Sequence, residues 1–309
     1  MDFTFTPEQE ELRSQARTFL EQTPAPTWAQ LAELGWTGVS IPEEAGGAGL
    51  GFLEEGILHE ELGRALYHGP FFSTLALTLP ALPSELQAQV AAGETSWTLA
   101  LGPLVPDLDT AARVAVVADD GIWELEGAER EILSTTDETR PLGRLSGGEA
   151  TLRLAGPDVL PEIRRRVRTA LALEACGIAR RALELGIEHA SSREQFGKPI
   201  GVYQAISHPL ANTYAEVELA RSLALWAAWS VAESDGQAEI AAASASAYAA
   251  DTAVAACERS IQVHGGIGFS WEHDLHRLYK RALWIAAFDR PSTALRAEVA
   301  AALLDGEGT

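Results

Sequence analysis

A chain of 309 residues with 44 acidic against 23 basic side chains carries a formal charge of −21 and a pI near 4.7, which excludes nucleic acid and disfavours an anionic membrane surface as a partner. With 47% apolar and 22% charged residues the sequence is globular rather than disordered, and no uninterrupted apolar run approaches the ~20 residues that span a bilayer. Its two cysteines, Cys176 and Cys257, sit in alanine-rich helical patterns, so a disulfide framework is not expected and a reducing cytoplasm fits.

Residues 1–94 read as an N-terminal helical domain. The first 15 residues are acidic and amphipathic, unlike a basic-plus-apolar secretory signal. Thr6-Pro7-Glu8-Gln9 is a capping box with proline at the first helical position. Phe5, Leu12, Ala16, Phe19 and Leu20 continue it as a helical stripe. A short helix from Trp28 to Leu34 is closed by Gly35, and residues 39–49 form a Pro/Gly-rich loop. Helical patterns resume from Gly51 to Leu66, Phe71 to Leu82 and Ser84 to Ala92. This third of the chain has 14 acidic and three basic residues, about half of the net charge.

Residues 95–160 change to short β-rich runs: Thr95 to Leu101, Ala112 to Ala118, Gly121 to Glu126, Arg130 to Ser134 and Ala150 to Leu154. Turn residues such as Gly102-Pro103, Asp119-Asp120-Gly121 and Ser146-Gly147-Gly148 separate them. A small middle domain of five or six strands is expected. From 161 to 309 the pattern is long helices with short connections: Glu162 to Ser192, Val202 to Ser234, Gln237 to His264, Trp271 to Ala287 and Pro291 to Leu304. That spacing predicts an antiparallel C-terminal bundle without strands between 165 and 285.

Two motifs stand out in the bundle. Arg193-Glu194-Gln195-Phe196-Gly197-Lys198-Pro199-Ile200-Gly201, with Gln204 following, lies between two helices. It reads either as a helix hairpin whose arginine suits the C-terminal dipole or as a ligand loop. Gln262-Val263-His264-Gly265-Gly266-Ile267-Gly268-Phe269 offers either a helix-ending glycine run or a backbone that lets a phosphate approach.

In this order, about 70 residues apart, the two motifs resemble those of the acyl-CoA dehydrogenase family. The run Ser270-Trp271-Glu272-His273-Asp274-Leu275-His276 resembles a bacterial branch of it, and Ile41-Pro42-Glu43 before a Gly-rich loop fits its N-terminal part. The resemblance implies a mainly α fold with a helical N-terminal domain (1–94), a shortened β-barrel-like middle domain (95–160) and a C-terminal four-helix bundle (161–309). It implies FAD as cofactor, an acyl-CoA thioester as substrate and α,β-dehydrogenation as the reaction. An electron-accepting flavoprotein would follow. By position, Arg193 would meet the pyrophosphate, with Gln195, Phe196 and Gln204 beside it. Gln262, Gly265, Gly266 and Gly268 would line the adenosine–pyrophosphate part of a flavin held mainly by a neighbouring subunit. Two bundles would then pack together, burying more than about 2,000 Å², as obligate dimers or dimers of dimers do.

Three departures bear on catalysis. The family's flavin-contacting Gly-Ser-Asp stretch is replaced by Trp97-Thr98-Leu99-Ala100-Leu101-Gly102-Pro103-Leu104-Val105-Pro106-Asp107. Where the family commonly places its Glu base, about 27 residues beyond Gln262, this chain has Asp289, in Phe288-Asp289-Arg290-Pro291. At the alternative base position, before Arg168, stands Val167; the next acid along that helix is Glu174, two turns on, among Ala172, Leu173, Ala175 and Cys176. Glu174 and Asp289 are therefore the catalytic candidates, since a general base is a carboxylate within reach of the proton in an apolar site. The bland reading of Glu174 is a bundle acid paired with Arg180 or Arg181.

Arg164-Arg165-Arg166 with Arg168 reads first as a solvated charge run, or as a contact for a CoA phosphate or an acidic surface. His273, His276 and Glu272 lack the further ligand a metal needs, so no metal is expected. Trp226, Trp229 and Trp284 read as bundle core. Two functional classes stay open. The chain is either a flavoenzyme with its own base or a half-site partner, homo- or hetero-oligomeric, that completes the FAD pocket of a fuller-length subunit; lipid or steroid degradation is the setting the resemblance suggests.

Overall fold

Local capping signals are used as the sequence spells them. In the computed structural model, which describes residues 5–305, the capping box at Thr6 and Gln9 starts α1 (Pro7–Gln22); residues 1–4 of the acidic N-terminal stretch lie outside the described part. A second box, Thr27 with Gln30, starts α2 (Trp28–Glu33), and Gly35 at φ 75° ends it. Helix α3 (Phe52–Arg64) follows the expected loop.

The expected helix from Phe71 to Leu82 takes another form: Phe72–Thr78 is π-helical and Leu79–Ala81 a 3-10 turn. The Thr78 hydroxyl bonds the carbonyl of Ser73, five residues back, at 2.7 Å. Thr74 fastens the segment to both backbone groups of Trp97. Such contacts favour the wider π register over simple periodicity. Helix α4 (Ser84–Ala91) then leads into the β region.

Seven strands follow, one or two more than expected. They are β1 (Trp97–Ala100), β2 (Val105–Pro106), β3 (Arg113–Ala118), β4 (Gly121–Glu126), β5 (Glu129–Ile132), β6 (Leu142–Ser146) and β7 (Glu149–Ala155). One sheet has the order β1-β3-β4-β7 and the other β2-β6-β5, with β1–β3 the parallel pair. Strands β2 and β6 escaped the sequence reading because Val105–Pro106 is two residues long and Leu142–Ser146 carries Gly143 and Arg144 in place of alternating apolar residues. Val105, Leu108 and Val114, with Ala100 and Leu145, form a small apolar core. Five helices complete the chain: α5 (Leu160–Ser192), α6 (Gln204–Ala232), α7 (Ala238–His264), α8 (Leu275–Phe288) and α9 (Ser292–Asp305).

The chain forms two compact units. One holds Thr6–Leu58 with Tyr67–Ala170; the other holds His59–Leu66 with the chain from Leu171 on. In the first, the arginine run at the start of α5 is not uniformly solvated. Arg166 pairs with buried Glu55 at 2.6 Å and lies over the Phe52 ring, and Arg168 is buried.

In the second unit, α3 and α5 meet backbone to backbone at two glycines. A methyl on Gly177 would sit 1.9 Å from the Glu60 carbonyl oxygen, and one on Gly63 would sit 2.4 Å from that of Glu174. This close approach accompanies the buried pairs Glu60–Arg221 (2.9 Å) and Glu174–Arg281 (2.6 Å). Gly177→Ala should therefore cost about 1–3 kcal/mol of stability despite alanine's better helix propensity, read as a lowered urea midpoint.

Helix α7 runs against α6, α8 and α9. The stretch Ala238–Phe269, though interrupted by Glu239, Asp251, Glu258 and Arg259, is long and apolar enough by length and composition to cross a membrane, with a mean hydropathy of 1.2 over an 18-residue window. Of that window 61% is buried inside the protein, as for the core helix of a bundle. Trp284 is buried as expected, whereas Trp226 and Trp229 are half-buried.

Candidate functional site

The two motifs come together at one end of the second unit. Helix α5 ends at Ser192, and Arg193 lies just beyond it with its N–H bonded to the His189 carbonyl. Helix α7 ends at His264, where Gly265 turns the chain at φ 64° and ψ −142°, a conformation only glycine adopts readily. The His189 and His264 rings stack with centroids 4.2 Å apart, and His264 meets His273 at 4.5 Å. Three imidazoles thus join the Arg193 loop, the glycine loop and the start of α8. Closer to the helix middles, Gly186 of α5 admits Ser260 of α7: a methyl on Gly186 would lie 2.8 Å from the serine hydroxyl.

The Arg193 loop corrects one expectation. Its Gly197 and Pro199 do interrupt the helices, but the loop is a minimal hairpin of β8 (Glu194–Gln195) and β9 (Lys198–Pro199), so the bundle region is not free of strands. Phe196 at φ 53° and Gly197 at φ 77° form the turn; two successive positive φ angles are what a two-residue type I′ hairpin needs. The Ile200 N–H closes the loop onto the Arg193 carbonyl at 2.8 Å. The Tyr203 hydroxyl donates to the Gln195 carbonyl, and Gln195 donates to that of Glu194. The Phe196 ring is 91% exposed.

The second loop is open in the same way. Nothing lies within 4 Å of where a methyl on Gly265 or Gly266 would point, whereas Gly268 is packed against Ile261 and His264. Ile267, Phe269 and Trp271 are exposed, Trp271 to 75%. Both loops follow helix C-termini, so the helix dipole does not favour an anion there; Arg193 and Lys198 supply the positive charge. Gln204 heads α6, whose N-cap residue Tyr203 makes no side-chain cap, so that helix end does carry the favourable dipole.

Burial lowers the His189 imidazole below its ordinary value, and His264, Arg193 and His273 add to this. His273 is likewise lowered, chiefly by burial and by His264, with Asp274 acting the other way. His189 stacks on His264 while His273 meets His264 at a 60° tilt, and among the described residues no group of three His, Cys, Asp or Glu could hold a metal. The sequence reading named His264 and His273 but missed His189 and the stack. The signal was the four-residue spacing from His189 to Arg193, one helical turn.

The catalytic candidates lie elsewhere in this unit. Glu174 is buried in the bundle and pairs with Arg281, itself wholly buried; Arg180 pairs with Glu218. Asp289 is the exposed residue that ends α8. In the other unit, the stretch that stands where a flavin-contacting Gly-Ser-Asp was looked for is tied up internally. Within it the Thr98 hydroxyl donates to the Pro106 carbonyl at 2.7 Å and buried Asp107 faces Arg140 at 3.5 Å; just beyond it Arg130 takes the carbonyls of Leu108, Ala111 and Ala112. Burial and Asp107 push the nearby Tyr67 phenol up.

Comparison with known proteins decides the family. Residues 164–304 match the model of the acyl-CoA dehydrogenase C-terminal domain, and residues 6–82 that of its N-terminal domain. The acyl-CoA dehydrogenase IpdE2 of Mycobacterium tuberculosis is 36% identical over 264 residues, covering 82% of this chain and 79% of its own. The chain belongs to the acyl-CoA dehydrogenase family. It is also 36% identical over 287 residues to the acyl-CoA dehydrogenase FadE34 of the same organism; that match covers 85% of this chain and spans 40% of the relative's length. Among solved structures it resembles a chain of the Tcur3481-Tcur3483 steroid acyl-CoA dehydrogenase (28% identity, TM-score 0.87, covering 98% of this chain and 99% of that one). It resembles equally a chain of the ChsE4-ChsE5 complex from M. tuberculosis (25% identity, TM-score 0.87, 99% of both). The helical N-terminal part, small β region and helical C-terminal part are thus those of an acyl-CoA dehydrogenase.

Proposed function

We propose that this chain is a subunit of a flavin-dependent acyl-CoA dehydrogenase and that it supplies the bundle side of a FAD pocket whose flavin is held mainly by a fuller-length partner. The carrying observation is the histidine stack, which brings the Arg193 and Gly265 loops to one end of the bundle with their ligand-facing sides open. The residues present fit the adenosine–pyrophosphate half of FAD. Arg193 offers a planar fork for phosphate oxygens, Gly265 and Gly266 leave backbone exposed, and Gln195, Phe196, Gln204, Gln262 and Gly268 border the same loops. The ring half is poorly provided for, because Asp107 and the carbonyls of Leu108, Ala111 and Ala112 are already engaged. When bound, FAD would accept a hydride from the β carbon of an acyl-CoA.

The likeness to chains of heteromeric assemblies supports a partner of the same family, and the steroid dehydrogenase among them supports lipid or steroid side-chain degradation. An electron-accepting flavoprotein would take the electrons onward. Both cysteines are free and buried, with thiols pushed up by burial, which fits the reducing cytoplasm as location. In the second reading the chain carries its own base. In that reading Asp289, at the exposed end of α8, would be the base, because the Glu174 carboxylate is held by Arg281.

The flavin-to-chain ratio of purified protein separates the readings. The chain alone should retain little FAD, and co-purification with the partner should give one FAD for each pair of chains. One tightly held FAD per isolated chain, with full turnover that Asp289→Asn abolishes, would establish the self-sufficient enzyme instead.

A further inference from the structure

We propose that His189, His264 and His273 are positioning residues that hold the Arg193 loop, the glycine loop and the start of α8 as one unit, and that acid releases this clasp. The inference rests on the flavin-pocket reading only for its consequence; the clasp is a property of the chain.

The geometry fixes the proton inventory. His264 Nδ1 lies 2.7 Å from the Ser260 carbonyl oxygen, which can only accept, so Nδ1 carries the hydrogen. The Leu275 N–H donates to His273 Nδ1 at 3.2 Å, so that nitrogen carries none. Leu275 opens α8, and the bond satisfies one of the amides that a helix start leaves without an internal partner. A proton on His273 Nδ1 would face the Leu275 N–H, donor against donor. It would also place a cation at the positive end of the α8 dipole and beside a second imidazole.

The surroundings set the direction. Arg181 faces the cluster from α5, Arg193 from the loop that follows it, and His276 from α8; all three oppose added positive charge. Asp274, in the turn before α8, is the group favouring it. From α7 the cluster meets the Ser260 carbonyl, which His264 already uses. Because His189 and His273 are lowered in the folded protein, the unfolded or opened chain binds protons that the closed form does not. The clasp is therefore complete above the ordinary imidazole value of about 6.5 and weakens as pH falls through it.

The test is amide hydrogen exchange on the full chain without flavin, at pH 7.5 and 5.5, corrected for intrinsic rates. Protection of residues 193–199 and 265–277 should fall by roughly tenfold in acid, while the middle of α7 keeps its protection. His273→Asn retains an acceptor for the Leu275 N–H but does not titrate, so its acid step should shrink while protection at pH 7.5 is kept; His189→Phe should also shrink the step, and the double variant should abolish it. An equal step in His273→Asn, or none in the parent chain, overturns the proposal. Should either variant fail to fold, NMR titration of the imidazoles in the parent chain decides: His189 and His273 should resist protonation below about pH 6.5 and take it up together with loop opening, and titration without loop change sinks the clasp. Failure of the assembled pair to retain flavin at pH 7.5, with the acid step of this chain intact, would reject the pocket reading and leave the clasp standing.

Discussion

Glu174→Leu should cost about 3–5 kcal/mol of stability, because Arg281 would keep a buried charge without the carboxylate that matches it. Glu174 and Arg281 are 2% and 0% exposed, with 2.6 Å between them. Attraction inside a low-dielectric bundle offsets the desolvation of both ions only while both are present. The double variant Glu174→Leu with Arg281→Met should recover most of the loss, as apolar replacements of whole buried pairs do. Urea denaturation of the singles and the double measures the coupling. This result also bears on catalysis. A base poised for a substrate proton would lower turnover when changed to glutamine without such a loss of folding; a structural pair would show the reverse.

Arg193→Ala should reduce FAD retention by the assembled pair roughly 10- to 100-fold, the scale of a charge-assisted bond of about 1.5–3 kcal/mol. Arg193→Lys should recover only part, since an ammonium is a point charge and lacks the planar fork. The chain's folding should be unaffected, because the Arg193 side chain is exposed and its ordered contacts are backbone ones, to His189 and Ile200. Fluorescence of released flavin after gel filtration gives the readout. Equal retention by wild type and Arg193→Ala would remove Arg193 from the pocket.

The helices were legible because their signals are local. Thr6 and Gln9 cap through three residues of chain, and the apolar period of α5 to α9 marks each helix within a few residues of its ends. The strands were partly legible: β3 and β4 alternate, while β2 exists because Val105 and Pro106 pair with Gly143 and Leu142, far along the chain. The π-helical turn at Phe72–Thr78 depends on Trp97 in the same way. At the candidate site, residue types and spacing exposed both loops. They could not show that His189 stacks on His264, since that contact joins positions 75 apart in sequence. They suggested an arginine partner for Glu174 but could not show which one, because Arg281 arrives from another helix while Arg180 and Arg181 are merely close in sequence.

Phe196 sits in a left-handed backbone with its ring in water, and Ile267, Phe269 and Trp271 are exposed on the loop joined to it through the histidines. For a solitary molecule this is a liability twice over: the backbone stores strain of about 1–3 kcal/mol, and the rings form an adhesive end that invites aggregation. Neither cost has a return until something covers that end. With the proposed partner subunit as that cover, a cell has to match the supply of the two chains, and any surplus is material for proteolysis and chaperones.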